Sequence, residues 1–157
     1  TTSPLSARSS IGLVEFNGAM YIICGKTGTA SATNDLWYST DGNIWTPIPN
    51  ASKVSARSNP NTCAVGNRLF VAGGTRANGD PIGDLLYMST AFDWTLGRGI
   101  IQSPAPQDCG SVQYQNALWM VGGFTGPVVR INRSVFYYYP TDQFTEDYYT
   151  ITDSENN

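Results

Sequence analysis

A self-match at a fixed interval of 49 residues constrains this chain more than any other feature of its sequence. Ser6-Ala7-Arg8-Ser9 returns as Ser55-Ala56-Arg57-Ser58. The run Met20–Gly25 returns as Leu69–Gly74 and again as Leu118–Gly123, so that Gly25, Gly74 and Gly123 stand 49 apart. Asp35-Leu36-Trp37-Tyr38 matches Asp84-Leu85-Leu86-Tyr87, and Trp45-Thr46 matches Trp94-Thr95. In the third copy the matching aromatics are Tyr137 and Phe144, displaced by one residue, which predicts a single insertion between Phe124 and Phe136. The 157 residues are therefore read as one domain, 1–157, of three copies at about 6–54, 55–103 and 104–152, with a tail at 153–157.

The apolar runs are short, β-branched or aromatic, and broken by turn residues, which excludes a helical solenoid. In the first copy the pattern predicts strands near Gly12–Phe16, Ala19–Gly25, Asp35–Thr40 and Asn43–Ile48, here called A to D. Asn17-Gly18 joins A to B and Asp41-Gly42 joins C to D. Both dipeptides suit two-residue type I′ turns, whose central residues need positive φ. Such a turn at Asp41-Gly42 sets Tyr38 directly opposite Trp45. Tyr87/Trp94 and Tyr137/Phe144 keep that separation across turns expected to be longer. Strand B is apolar on consecutive positions, as in Leu118-Trp119-Met120-Val121, so both its faces must be covered. A four-stranded sheet packed between two neighbours meets that demand. The predicted fold class is all-β: three four-stranded antiparallel sheets, as propeller blades in a partial or oligomer-completed β-propeller.

A diglycine after an apolar strand, then Tyr-x6-Trp, at a period near 50 resembles the kelch repeat. Gly73-Gly74 with Tyr87 and Trp94 matches in full, and Gly122-Gly123 with Tyr137 and Phe144 closely. Cys24-Gly25 with Tyr38 and Trp45 departs at the first glycine. The arginine before strand A is present as Arg8 and Arg57 and absent from the third copy. Ser39-Thr40-Asp41-Gly42-Asn43-Ile44-Trp45 also resembles a shortened Asp-box of sialidase-like propellers and is read as a turn with a tryptophan anchor. The kelch resemblance implies a non-catalytic scaffold for protein binding. Its copper-oxidase branch, of the galactose oxidase type, needs histidine ligands and a Tyr–Cys cross-link, and this chain has no histidine. A sialidase-like site needs an arginine cluster with a Tyr/Glu pair. Arg8, Arg57, Asp35 and Asp84 instead recur with the repeat, which favours structural roles, and Glu15 and Glu146 have no evident partner. No enzymatic activity, cofactor or metal site is expected.

Charge points the same way. Nine Lys+Arg against twelve Asp+Glu give a net charge of −3 without a basic run, so no nucleic acid partner is expected. No apolar stretch approaches the ~20 residues of a spanning helix, so no membrane insertion is expected. Cys24, Cys63 and Cys109 lack paired spacing and read as buried free thiols, with a single disulfide as the alternative. The chain opens on Thr1-Thr2 without methionine, as a processed or excised product would.

Three blades cannot close a ring, since propellers hold about 4–8. The end faces are therefore expected to be covered by further blades of a longer chain, by a second copy, or by stacking into a filament, and an isolated monomer is not expected. Alternating strand direction puts the B–C loops and D–A linkers on one face. There Arg76, Asn78, Asp80, Arg130 and Arg133 are the candidate binding residues. The sequons at Asn50 and Asn132 fall on the same face, with a rarer Asn-x-Cys form at Asn61. With the low lysine content they favour an extracellular or cell-surface glycoprotein, a cytoplasmic protein being the alternative. The functional expectation is an interaction module for a protein or glycan. Self-assembly of blades is the alternative, and a propeller glycosidase or oxidase ranks third.

Overall fold

The computed structural model describes residues 4–28, 31–49, 51–89, 92–97 and 109–123, and the backbone of 134–138 and 143–145. Among the described residues, twelve strands form three antiparallel sheets in chain order. The first holds β1 (Gly12–Phe16), β2 (Ala19–Thr27), β3 (Ser31–Ser39) and β4 (Thr46–Pro47). The second holds β5 (Asn61–Val65), β6 (Arg68–Ala72), β7 (Leu85–Met88) and β8 (Trp94–Leu96). The third holds β9 (Gly110–Tyr114), β10 (Ala117–Val121), β11 (Ser134–Tyr138) and β12 (Gln143–Thr145). A 3-10 turn, Ala51–Lys53, lies in the linker between the first two sheets.

The A–B hairpins form as the turn residues dictate. Asn17 and Gly18 take φ of 51° and 74°, and Gln115 and Asn116 take 49° and 57°, the paired positive values of a type I′ turn. The consecutive apolar residues of strand B divide between two seams. Phe16, Tyr21 and Ile23 of the first sheet pack against Leu69, Val71, Leu86, Met88 and Trp94 of the second. Cys63, Val65, Phe70, Ala72 and Leu85 of the second pack against Leu118 and Met120 of the third. Each large apolar side chain so buried contributes about 1.5–3 kcal/mol, which makes the seams the main source of cohesion. The Trp94 indole N–H, buried in the first seam, has no hydrogen-bond partner among the described residues. The site therefore uses the ring rather than the polar tip, and the third copy has Phe144 there. Innermost strands of neighbouring sheets are tied by side-chain hydroxyls. Thr62 Oγ1 donates to the Leu13 carbonyl at 3.4 Å, and Ser111 Oγ to the Thr62 carbonyl at 3.1 Å, each link spanning 49 residues.

Three expectations are corrected. First, Tyr38 pairs with Thr46, not Trp45, and Tyr87 likewise pairs with Thr95. Asp41-Gly42 is not a type I′ turn, because only Gly42 has positive φ. The Asp41 carboxylate instead accepts from the Asn43 and Ile44 amides at 2.8 and 2.9 Å, while Ser39 Oγ accepts from the Gly42 amide at 2.9 Å. That lengthens the turn and shifts the register by one. In the third sheet Tyr137 does oppose Phe144. Second, Leu118↔Tyr137 keeps the register of Leu69↔Met88. Phe136, not Tyr137, therefore holds the place of Tyr87, and the extra residue lies between β11 and β12. The run Phe136-Tyr137-Tyr138 makes adjacent registers look alike in sequence. Third, the B–C segment of the first sheet, expected as a loop from Lys26 to Asn34, is mostly strand: β2 runs to Thr27 and β3 begins at Ser31.

The diglycine explains its own exception. Cys24, Gly73 and Gly122 have φ of 56°, 60° and 75°, near the left-handed well that an L side chain can enter. Gly25, Gly74 and Gly123 have φ of 109°, 91° and 94°, which lie beyond it. Cysteine is therefore accommodated at the first position only. Burial pushes the Cys24 thiol up to about 12 and the Cys63 thiol up to about 11, so both stay protonated.

Candidate functional site

The repeated charges meet. Arg8 Nη1 and Nη2 donate to the two carboxylate oxygens of Asp35 at 2.7 and 2.8 Å, and Nη1 also reaches the Cys24 carbonyl at 3.3 Å. Forty-nine residues on, Arg57 donates to both oxygens of Asp84 at 2.6 and 2.7 Å and to the Gly73 carbonyl at 2.9 Å. Ser6 and Ser55 each accept from the guanidinium through both backbone carbonyl and hydroxyl. Such bidentate pairs combine charge with fixed geometry. Burial alone would push the Asp35 carboxyl up. Hydrogen bonds from Arg8 and from the Trp37 indole outweigh that and hold it well below the usual carboxylate range. These four charges therefore clamp each linker to its own sheet. Sequence showed that both partners recur with the period; the shared 27-residue Arg–Asp separation was the signal that they meet.

The linker backbone continues the pairing across the face. Ser9 and Lys26 exchange amide bonds at 3.0 and 2.8 Å, and Ser58 and Thr75 do so at 2.9 and 2.8 Å. Between them, the Arg57 amide donates to the Thr33 carbonyl and the Gly25 amide to the Arg57 carbonyl, both at 3.0 Å. A ribbon of backbone bonds thus runs from one B–C hairpin to the next. It satisfies polar groups that the apolar pattern gave no reason to place in strands.

In the second sheet the hairpin ends in a self-supporting tip. Thr75 bridges Pro81, the Arg76 amide donates to the Asp80 carbonyl at 2.8 Å, and the Gly79 amide to the Arg76 carbonyl at 3.0 Å. Asn78 Nδ2 donates to Asp80 Oδ2 at 2.7 Å, and the Asp80 amide returns a bond to Asn78 Oδ1 at 3.1 Å. Ile82, buried, anchors the tip. Arg76, Asn78 and Asp80 are all exposed on it. The other candidates, Arg130 and Arg133, lie outside the described residues, as do the sequons at Asn50 and Asn132. Asn61 is corrected: it is 4% exposed within β5, where its Oδ1 accepts from the Cys109 thiol at 3.1 Å, so it is closed to glycosylation. Among the described residues no three His, Cys, Asp or Glu side chains converge as a metal site would require, and no helix is long and apolar enough to cross a membrane.

Sheets joined face to face by a repeating seam, with tips and linkers gathered on one side, define a set of β-propeller blades. No family model matches the chain. It is 30% identical over 108 residues to the kelch repeat protein M-T8 of myxoma virus (strain Lausanne), a match covering 68% of this chain and 20% of that protein. The solved structure of YjhT overlays 91% of this chain with a TM-score of 0.76 at 18% identity, over 46% of its own length. The chain thus spans about a fifth of the viral relative and under half of the solved structure. It belongs to the kelch-repeat β-propeller family.

Proposed function

We propose that this chain is a non-enzymatic interaction module that offers its B–C tips and D–A linkers to a protein partner. The observation that carries this reading is the tip at Arg76–Asp80: exposed, polar, and held by its own hydrogen bonds before any partner arrives. A contact ordered in advance loses little conformational freedom on binding. The arginines and aspartates that recur with the repeat are committed to the clamps, which leaves them structural rather than catalytic. Scaffolding for protein partners is also what the kelch resemblance implies. On this reading Arg130 and Arg133 extend the same face, a glycan is an alternative partner, and the sequons at Asn50 and Asn132 favour an extracellular setting. The variant Arg76→Ala/Asn78→Ala/Asp80→Ala is expected to fold normally and to lose at least about tenfold in partner capture. Affinity capture from one lysate, with the unmodified chain run in parallel, is the measurement. Equal recovery of the same proteins by both would sink the assignment.

A second reading, self-assembly, is favoured by the open face of the third sheet. Val112, Tyr114 and Val121 are 56%, 57% and 40% exposed, although their counterparts in the first two sheets lie in the seams. At the opposite end Leu13 is 59% exposed. Light scattering at micromolar concentration is then expected to return a mass above 17.0 kDa, and a monodisperse species at 17.0 kDa would end this reading.

A further inference from the structure

The two joints between sheets do not carry the same residue types. At the first, Arg57 belongs to both sides. Its guanidinium is fixed within the second sheet by Asp84, Gly73 and Ser55, while its backbone amide and carbonyl pair with Thr33 and Gly25 of the first. The Asn59 amide adds a bond to the Ser10 carbonyl at 2.8 Å. In the 49-residue register the third copy has Pro106 at the position of Arg8 and Arg57. Counting back from the pairing of β10 with β11, it has Arg133 at the position of Asp35 and Asp84. Proline has neither an amide hydrogen nor a guanidinium, and arginine has no acceptor to offer one. Of the Arg57 arrangement, these residue types cannot supply the guanidinium–carboxylate clamp or the amide bond to the neighbouring sheet; only the carbonyl acceptor is kept. Among the described residues, the second joint is made by the apolar seam around Phe70, Leu118 and Met120, by Ser111 on Thr62, and by Cys109 on Asn61.

We infer that the joint between the second and third sheets is an opening point built into the fold: the third sheet parts from the second as a unit while the first two remain clasped. Proteins open in cooperative units along the boundaries that hold least. Here the boundary falls where the repeat has dropped both partners of its clamp. The apolar seam around Phe70, Leu118 and Met120 favours closing the joint again, because opening exposes these buried side chains to water.

Hydrogen exchange read by mass spectrometry on the whole, unmodified chain tests this, with urea added in steps below the global transition. Amides of β10 are expected to exchange about tenfold faster than those of β2 and β6, and to do so at lower urea. Installing the missing pair as Pro106→Arg with Arg133→Asp is expected to raise β10 protection about tenfold beyond the combined effect of the two single variants. Exchange of β2, β6 and β10 in one step in the unmodified chain would overturn the inference. So would a double variant no better protected than the better single one.

Discussion

Arg57→Leu is expected to lower the stability of the chain by about 3 kcal/mol, the low end of the range for breaking a buried ion pair. The Arg57 side chain is fully buried and Asp84 is 27% exposed, so the abandoned carboxylate is only partly rescued by water. Leucine also leaves the Gly73 carbonyl and the Ser55 acceptors without their donor. Arg8→Leu removes the same chemistry in a wetter setting, where Asp35 is 39% exposed, and is expected to cost about half as much. Arg57→Lys should not restore the loss, since an ammonium cannot serve two carboxylate oxygens and a carbonyl in one plane. Urea melts of the three variants give the ranking. Equal losses for Arg57→Leu and Arg8→Leu would show that burial of the second clamp adds nothing.

Gly74→Ala is expected to be of similar severity, for a reason unrelated to charge. Gly74 has φ of 91°, and a Cβ there would lie 2.7 Å from the Ser58 carbonyl oxygen and 3.3 Å from Pro60 Cα. These are backbone atoms of the linker that pairs with Thr75, so the strand end cannot move away without breaking the ribbon. Strain and overlap together should cost about 3 kcal/mol. Gly122→Ala is the internal control: its φ is 75° and nothing lies within 4 Å of the added carbon, so only the conformational penalty of about 1 kcal/mol applies. Thermal or urea unfolding of the pair decides, and matched midpoints would mean that the close approach of the linker is relieved at little cost.

Much of the architecture was written in the residues. The period, the three sheets and the limits of β1 follow from apolar spacing and turn dipeptides, because strand A and strand B face seams that demand hydrophobic side chains. The extension of β2 and β3 beyond Gly25 was not legible. Lys26, Thr27 and Ser31 carry no apolar alternation; Thr27 pairs with Ser31 across the hairpin, and the extension is held from distant segments by Ser9 on Lys26 and Arg57 on Thr33. The C–D register was misread because Asp41-Gly42 suits a tight turn by composition, while the Asp41 carboxylate makes a wider one. For the candidate site, sequence placed Arg76, Asn78 and Asp80 on one segment but could not show that they hold one another. Turn-forming Asn78-Gly79 gave a hint; the bonds that close the tip depend on Ile82 being pinned by Gly74.

The short reach of the clamps bears on how the chain acquires its shape. Arg8 meets Asp35, and Arg57 meets Asp84, across 27 residues. Every strand ladder likewise closes within a single copy of the repeat. Ring-closure entropy is therefore met in small local instalments, and the contacts between copies are made among pieces already formed. Such a chain can nucleate in more than one place and propagate by docking, as repeat arrays do. Emerging from the ribosome, the first copy can close its own ladders and its Arg8–Asp35 clamp before the second has been synthesised, leaving its seam face and the backbone groups of Gly25 and Thr33 to await the second copy.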